Sequence, residues 1–272
     1  MLVELRYTLR RYRGQILGWG LGLTLYCLLM VSMYPDIKEM DFTVFLDYYP
    51  EDIMAFFGES MLAISSPHGY MDLYFFNYMI VILGILAIGT GAKLLVKDEE
   101  DGLLDLVTAY PISRTGIFWG RVVGYALVLI FILAISWLNW ALPSKSAGLE
   151  LTAGELIKPF VGLLGQLLLF GSFALLLSMV LPAARLASMV TGGLLVANYL
   201  VNGLVNINPD LEKFVEYTPL NYYQGGYAIL GIDGEGLLIV FEWIVLFLLL
   251  AWWQFLTRDL RVAGEGGWNL RK

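Results

Sequence analysis

Three amide side chains recur at every fourth position of an otherwise apolar segment: Asn198, Asn202 and Asn206. Steps of four residues drift by only about 40° around an α-helix, so the three amides form one stripe. Amides facing lipid are unfavourable, and we expect the stripe to face another helix or a subunit interface. Two roles stay open: hydrogen bonding between helices, at about 0.6 kcal/mol per bond, which is favoured, and the lining of a polar pathway.

A single acid, Glu242, lies in another apolar segment, six residues from its outer boundary. At 1.5 Å per residue this is a depth of roughly 9 Å. An ionised acid at the centre of a membrane helix costs about 2.5 to 3.5 kcal/mol, and somewhat less at this depth. We therefore expect Glu242 to be protonated, paired or facing water. Two roles stay open: part of a substrate pathway or of a proton-linked site, or an acid near the interface that is merely paired with an amide.

Two glycines, Gly18 and Gly22, lie four residues apart in the first apolar segment. Small residues at this spacing let two helix backbones approach closely. We expect this pair to serve helix packing rather than chemistry.

The segments that carry these side chains are too apolar for a soluble protein. Of the 272 residues, 58% are hydrophobic and 15% are charged, against roughly 45 to 50% and about 25% in soluble domains. One cysteine, Cys27, and one histidine, His68, exclude an internal disulfide and a multi-histidine metal site. The formal net charge of -7 argues against nucleic-acid binding, which needs a basic face. The composition predicts an all-α, polytopic membrane protein.

Six segments are long and apolar enough to cross a hydrocarbon core of about 30 Å as helices. They cover residues 16–33, 73–92, 122–142, 160–181, 186–207 and 236–256. We expect the whole chain, residues 1–272, to form a single transmembrane domain.

Lys and Arg side chains are distributed unevenly over the connecting segments. If the N-terminus is cytoplasmic, most of the 17 Lys and Arg residues lie on the inner side, so the positive-inside rule predicts cytoplasmic N- and C-termini. Before the first span, Leu2, Leu5, Leu9 and Tyr12 share one helical face. This spacing predicts an amphipathic N-terminal helix on the inner leaflet.

The segment between the second and third spans carries the clearest functional pattern. An acidic cluster at residues 98–101 is followed by Gly102 and by a short apolar run. The apolar residues of this run are Leu103, Leu104, Leu106 and Val107. Pro111 ends the helix that this run predicts, and Ser113 or Thr115 caps the next one. The acidic spacing does not fit an EF-hand. A short cytoplasmic helix with apolar side chains needs a partner protein to cover it.

This segment resembles the integral-membrane permease subunits of ABC-2 type transporters. Their loop after the second span reads acidic-x-Gly-x-Leu-x-x-[Leu/Val]-x-x-x-Pro-[Val/Ile]-Ser-Arg. The matching residues are Glu100, Gly102, Leu104, Val107, Pro111, Ile112, Ser113 and Arg114. Leu103 and Asp105 depart from the Thr and Glu of many members. The six-span plan and the basic N-terminus are similar over essentially the whole chain.

The resemblance implies a coupling helix that docks into a cytoplasmic ABC ATPase subunit. Its residues are Glu100, Asp101, Gly102, Leu103, Leu104, Leu106, Val107, Pro111, Ser113 and Arg114. The sequence contains no Gly-Lys dipeptide and hence no Walker A loop, so we expect no catalysis and no cofactor in this chain, with ATP and Mg bound by the partner.

The resemblance also implies a second permease half, identical or homologous, and contact with membrane lipid. It further implies the plasma membrane of a bacterium or archaeon, and export of amphipathic or drug-like compounds. A proton-coupled carrier or channel that uses Glu242 without an ATPase stays open as an alternative.

Overall fold

The computed structural model describes residues 1–40, 50–100 and 113–257. Within these ranges the regular structure is helical, without a β-strand, and six helices are long and apolar enough to cross a membrane. They are α1 (Leu2–Glu39), α2 (Pro67–Lys93), α3 (Arg114–Ala141), α4 (Ala153–Val180), α5 (Ala184–Leu204) and α6 (Gly234–Thr257). The predicted all-α, six-span fold of a multi-pass membrane protein is confirmed.

Short helical segments connect the six long helices. Between α1 and α2 they are Glu51–Phe57 and Glu59–Leu62, and Val96–Glu100 follows α2. Between α5 and α6 they are Pro209–Leu211, Glu212–Val215, Pro219–Tyr222 and Gly225–Ile229. Inside α2, the residues Asp72–Phe76 form a π-helical turn, a feature that occurs frequently at functional sites.

The basic N-terminal segment is the first part of α1 rather than a separate amphipathic helix. Its Leu2 is 74% exposed, whereas Glu4 and Thr8 are buried. Glu4 faces Gly120 of α3, and Thr8 faces Gly124, four residues further along the same helix. A Cβ atom at Gly124 would lie 2.7 Å from the Cβ atom of Thr8. The missing side chains therefore let α1 approach α3 closely along a polar face.

The predicted glycine pair of α1 makes no such contact among the described residues. Gly18 and Gly22 are exposed, and nothing lies within 4 Å of a Cβ atom added to either. Within this chain, α1 instead brings Gly20 against Ile135 of α3. Packing of the Gly18 and Gly22 face against another chain stays a prediction.

The centre of the bundle is formed by α2 and α4. A Cβ atom added to Gly91 of α2 would overlap the carbonyl oxygen of Gly171 in α4, so the two backbones are in direct contact. Aromatic rings of Phe75, Phe76 and Phe160 pack at one end of this contact. In contrast, only 22% of the residues in the most apolar 18-residue stretch of each of α1, α5 and α6 are buried inside the chain. These three helices form the periphery of the bundle and leave broad apolar faces uncovered.

Candidate functional site

The bundle has two chemically different ends. One end holds Glu4, Asp98 and Arg121 in contact with each other, and we call it the charged end. The opposite end holds Asp72 and Asn202 beside a cavity, and we call it the cavity end.

Arg121 of α3 is the centre of the charged end and is 1% exposed. Its Nε donates to Oε2 of Glu4 in α1 at 2.9 Å, and its Nη1 donates to the carbonyl oxygen of Leu94 at 3.2 Å. The same Nη1 lies 2.7 Å from Oδ2 of Asp98 in the short helix after α2. One guanidinium group thus joins α1, α3 and the segment that leads into the predicted coupling helix.

Asp98 is shared between two arginines. Nη1 of Arg11 in α1 donates to Oδ1 of Asp98 at 2.6 Å. The ring of Tyr7 lies beneath both guanidinium groups, with its centroid 5.8 Å from Arg11 and 5.6 Å from Arg121. Buried charges are tolerated when they are paired and hydrogen-bonded in this way. The network fixes the position of residues 96–100 relative to α1 and α3.

Glu100 forms a second link at the charged end. Its Oε1 accepts a hydrogen bond from the backbone N–H of Ala184 at 3.1 Å. Ala184 is the first residue of α5, and the residue before it provides no side-chain cap. A carboxylate there satisfies an unpaired N–H and complements the helix dipole. The acidic residue that opens the predicted coupling motif therefore contacts α5 directly.

The far side of the coupling motif begins α3. Ser113 Oγ accepts a hydrogen bond from the backbone N–H of Gly116 at 3.1 Å, which confirms Ser113 as a cap. Nη1 of Arg114 donates to the carbonyl oxygen of Leu256 in α6 at 3.4 Å. The other predicted coupling residues lie outside the described residues: Asp101, Gly102, Leu103, Leu104, Leu106, Val107 and Pro111.

At the cavity end, a cavity of about 420 Å³ opens between Glu51–Phe57, α2, α5 and the segment before α6. Its polar lining residues are Ser60, Asp72, Asn77, Tyr199, Asn202, Asn206, Tyr223, Gln224 and Tyr227. Burial, followed by the nearby Asp72 carboxylate, raises the pKa of Tyr223 well above its ordinary value. The Tyr223 hydroxyl therefore stays neutral and donates to the carbonyl oxygen of Phe76 at 3.0 Å.

The three asparagines of the predicted stripe differ in their contacts, and Asn206 lies two residues beyond the end of α5. Nδ2 of Asn202 donates to Oγ1 of Thr218 at 2.9 Å and ties α5 to the following segment. Nδ2 of Asn198 donates to the carbonyl oxygen of Leu194 in its own helix at 2.7 Å. Asn202 and Asn206 both line the cavity. The stripe thus combines a hydrogen bond to a neighbouring segment with the lining of a polar space.

Asp72 was not singled out by its sequence pattern, yet it is 8% exposed and lines the cavity. Its Oδ2 accepts from the Ser60 hydroxyl at 2.5 Å and its Oδ1 accepts from the backbone N–H of Gly226 at 2.6 Å. The useful signal in the sequence is an acid at the edge of an apolar segment together with a Gly-Gly pair in the last connecting segment.

Glu242 lies at neither site. It is exposed on α6 beside Phe241 and Trp243, and it forms no hydrogen bond or ion pair with the residues that the structure describes. Nor do the described ranges contain a group of three or more His, Cys, Asp or Glu residues arranged to hold a metal ion.

Residues 15–260 match the model of a family described as ABC-2 family transporter protein. The chain belongs to the ABC-2 transporter family. As an ABC-2 permease it is a membrane transport component and is not itself catalytic. A comparison with curated proteins finds no match.

Proposed function

We propose that this ABC-2 permease forms the membrane half of an ATP-driven exporter and couples through residues 100–114 to a separate cytoplasmic ATPase subunit. ATP and Mg bind in that subunit. This proposal is supported by the contacts at both flanks of the coupling segment. Glu100 contacts α5, and Ser113 caps α3. A displacement of the segment between these flanks acts directly on both helices.

The cavity end supports the second part of the proposal. The same α5 whose first residue, Ala184, is bound by Glu100 lines the cavity with Tyr199 and Asn202, and Asn206 lines it from just beyond the end of α5. A movement of α5 driven from the charged end therefore changes the cavity, as alternating access requires. Nucleotide must bind the two resulting states with different affinity in order to drive the change. Amphipathic or drug-like compounds suit a cavity that combines amides, hydroxyls and aromatic rings.

The proposed assembly contains two permease halves, identical or homologous, in the plasma membrane of a bacterium or archaeon. The uncovered faces of α1, α5 and α6 offer surfaces for the second half and for lipid. Both termini are proposed to be cytoplasmic because the Lys and Arg residues concentrate on that side. The alternative of a proton-coupled carrier is disfavoured, because Glu242 lies outside the cavity and outside the charge network.

Copurification from native membranes tests this function. We expect the wild-type chain to retain an ATPase subunit and Leu104→Asp to lose it, because a charge on the coupling helix opposes its burial in a partner. Leu230→Asp is the matched control, since Leu230 is 68% exposed near the cavity end, and it should retain the ATPase. Transport by the chain alone in liposomes, lost on Glu242→Gln, would instead establish the proton-coupled alternative.

A further inference from the structure

Asp72 is the only carboxylate that lines the cavity among the described residues. Its two hydrogen bonds come from a hydroxyl and a backbone N–H, so both of its oxygens act as acceptors. Donor–acceptor distances of 2.5 and 2.6 Å fall in or below the range of charge-assisted hydrogen bonds. The geometry places a carboxyl group, with both of its oxygens hydrogen-bonded, at the wall of the cavity.

Among the described residues this carboxylate has no ion-pair partner, although His68 is close enough to interact with it electrostatically. Within the described ranges, no Lys, Arg or His nitrogen lies within 4.0 Å of Asp72. His68, four residues earlier in α2, instead has its Nε2 3.2 Å from Oγ of Ser66 and its ring against Tyr227. A buried carboxylate without an ion-pair partner is unfavourable, and a bound cation would stabilise its ionised form.

The surrounding backbone is built around Asp72. Gly225 has φ of +54°, which disfavours any residue with a side chain, and a Cβ atom there would overlap Oδ1 of Asp72. A Cβ atom at Gly226 would lie 2.7 Å from the backbone nitrogen of Asp72. Asp72 also opens the π-helical turn of α2. The close approaches at Gly225 and Gly226 therefore bring the Gly-Gly segment directly against Asp72.

The remaining walls suit an organic body rather than a bare metal ion. The rings of Phe56, Phe57, Tyr199, Tyr223 and Tyr227 line the cavity. Aromatic faces attract cations as well as apolar groups. The volume of about 420 Å³ falls in the range of small-molecule sites, whereas calcium sites collect six or more oxygen ligands and usually several carboxylates.

We propose that the cavity binds an organic monocation, an onium compound with an aromatic or aliphatic body, whose charge lies against Asp72. The proposal names the substrate class of the cavity and rests on the proposed transport function for its biological role. Binding itself requires no ATPase and is measured on the permease alone.

Equilibrium binding of tritiated tetraphenylphosphonium to the full-length chain in phosphatidylcholine nanodiscs tests the proposal. We expect Asp72→Asn, which keeps the shape of the side chain, to weaken binding at least tenfold. Asp210→Asn removes an acid that is exposed at the same end and should change the affinity less than twofold. Equal affinity of the wild type and Asp72→Asn overturns the proposal.

Two further measurements test the cation site even if Asp72→Asn misfolds. Asn206→Asp places a second carboxylate at the exposed rim of the cavity and should tighten binding at least threefold. Benzyltrimethylammonium should displace the probe, whereas neopentylbenzene, its neutral isostere, should not. Unchanged affinity in Asn206→Asp, or equal displacement by the two compounds, contradicts a cation site.

The binding and copurification results are independent. Cation binding to Asp72 without a recovered ATPase supports the cavity site and refutes the proposed coupling. An ATPase that copurifies with a permease that does not bind the probe refutes the cation site alone.

Discussion

Replacing Arg121 with Met tests the buried charge network most severely. Glu4 is 4% exposed and Asp98 is 1% exposed. Loss of the Arg121 guanidinium leaves Glu4 without the arginine that it binds. Asp98 keeps Arg11 at 2.6 Å. Removing one partner of a buried ion pair costs about 3 to 5 kcal/mol. At about 2 to 4 °C per kcal/mol, the smaller cost already lowers the melting temperature by about 6 °C or more.

The single cysteine supplies the assay. Cys27 is 0% exposed in α1, so a thiol-reactive fluorogenic dye reports its exposure when the bundle unfolds. Arg185→Met is the matched control, because Arg185 is exposed at the charged end. The double variant Glu4→Gln with Arg121→Met should lose less melting temperature than the two single variants lose together, because it removes the carboxylate that Arg121→Met leaves uncompensated. A melting temperature of Arg121→Met within about 2 °C of that of Arg185→Met would contradict a stabilising role of the Arg121 ion pairs.

Two further substitutions follow from backbone contacts. Gly91→Ala places a methyl group against the Gly171 carbonyl oxygen and should cost about 1 to 3 kcal/mol in the same melting assay. Gly89→Ala, with nothing within 4 Å of its added Cβ atom, should leave the melting temperature unchanged or slightly raised; equal melting of the two variants contradicts the close contact. Glu100→Ala removes the acceptor at the start of α5, so the amide of Ala184 should exchange its hydrogen about fivefold faster, equivalent to about 1 kcal/mol. Hydrogen-exchange mass spectrometry measures this, and an unchanged exchange rate contradicts the capping role.

The number and type of spans could be predicted from the sequence because hydropathy over some twenty residues records the environment of each helix. The boundaries could not. The third span was predicted to begin at residue 122, yet α3 begins at Arg114. Arg114 and Arg121 make this stretch too polar for a hydropathy criterion, but the structure neutralises Arg121 with Glu4 and Asp98. A helix continues through charged residues when partners on other helices bind them.

Partners that are distant in the chain leave no signal in spacing. Glu4 and Arg121 are separated by 117 positions, and their contact depends on the rotation and height of α1 relative to α3. The asparagine stripe was visible in the sequence because its residues share one predicted span, although α5 ends at Leu204, before Asn206. Its division between Thr218 and the cavity was not, since that depends on the fold of the segment after α5.

Glu242 and Asp72 show that the depth of an acid within an apolar segment does not predict whether it lines the cavity. Glu242 attracted attention because it interrupts an apolar segment, yet it faces away from the chain on α6. Asp72 lay one residue before the predicted second span and was passed over, although it is the carboxylate at the cavity. The decisive features, the Gly225–Gly226 approach and the π-helical turn, are properties of the folded backbone.

Site-specific photocrosslinking tests whether the segment of residues 100–114 binds an ATPase subunit. A photoreactive amino acid is placed at Leu104 in the full-length chain in native membranes, with Leu230 as the control position, and the adducts are identified by mass spectrometry. We expect an adduct with an ATPase subunit from position 104 and none from position 230. Adducts from position 104 that contain only lipid or the permease itself, in membranes where transport is active, would contradict this expectation.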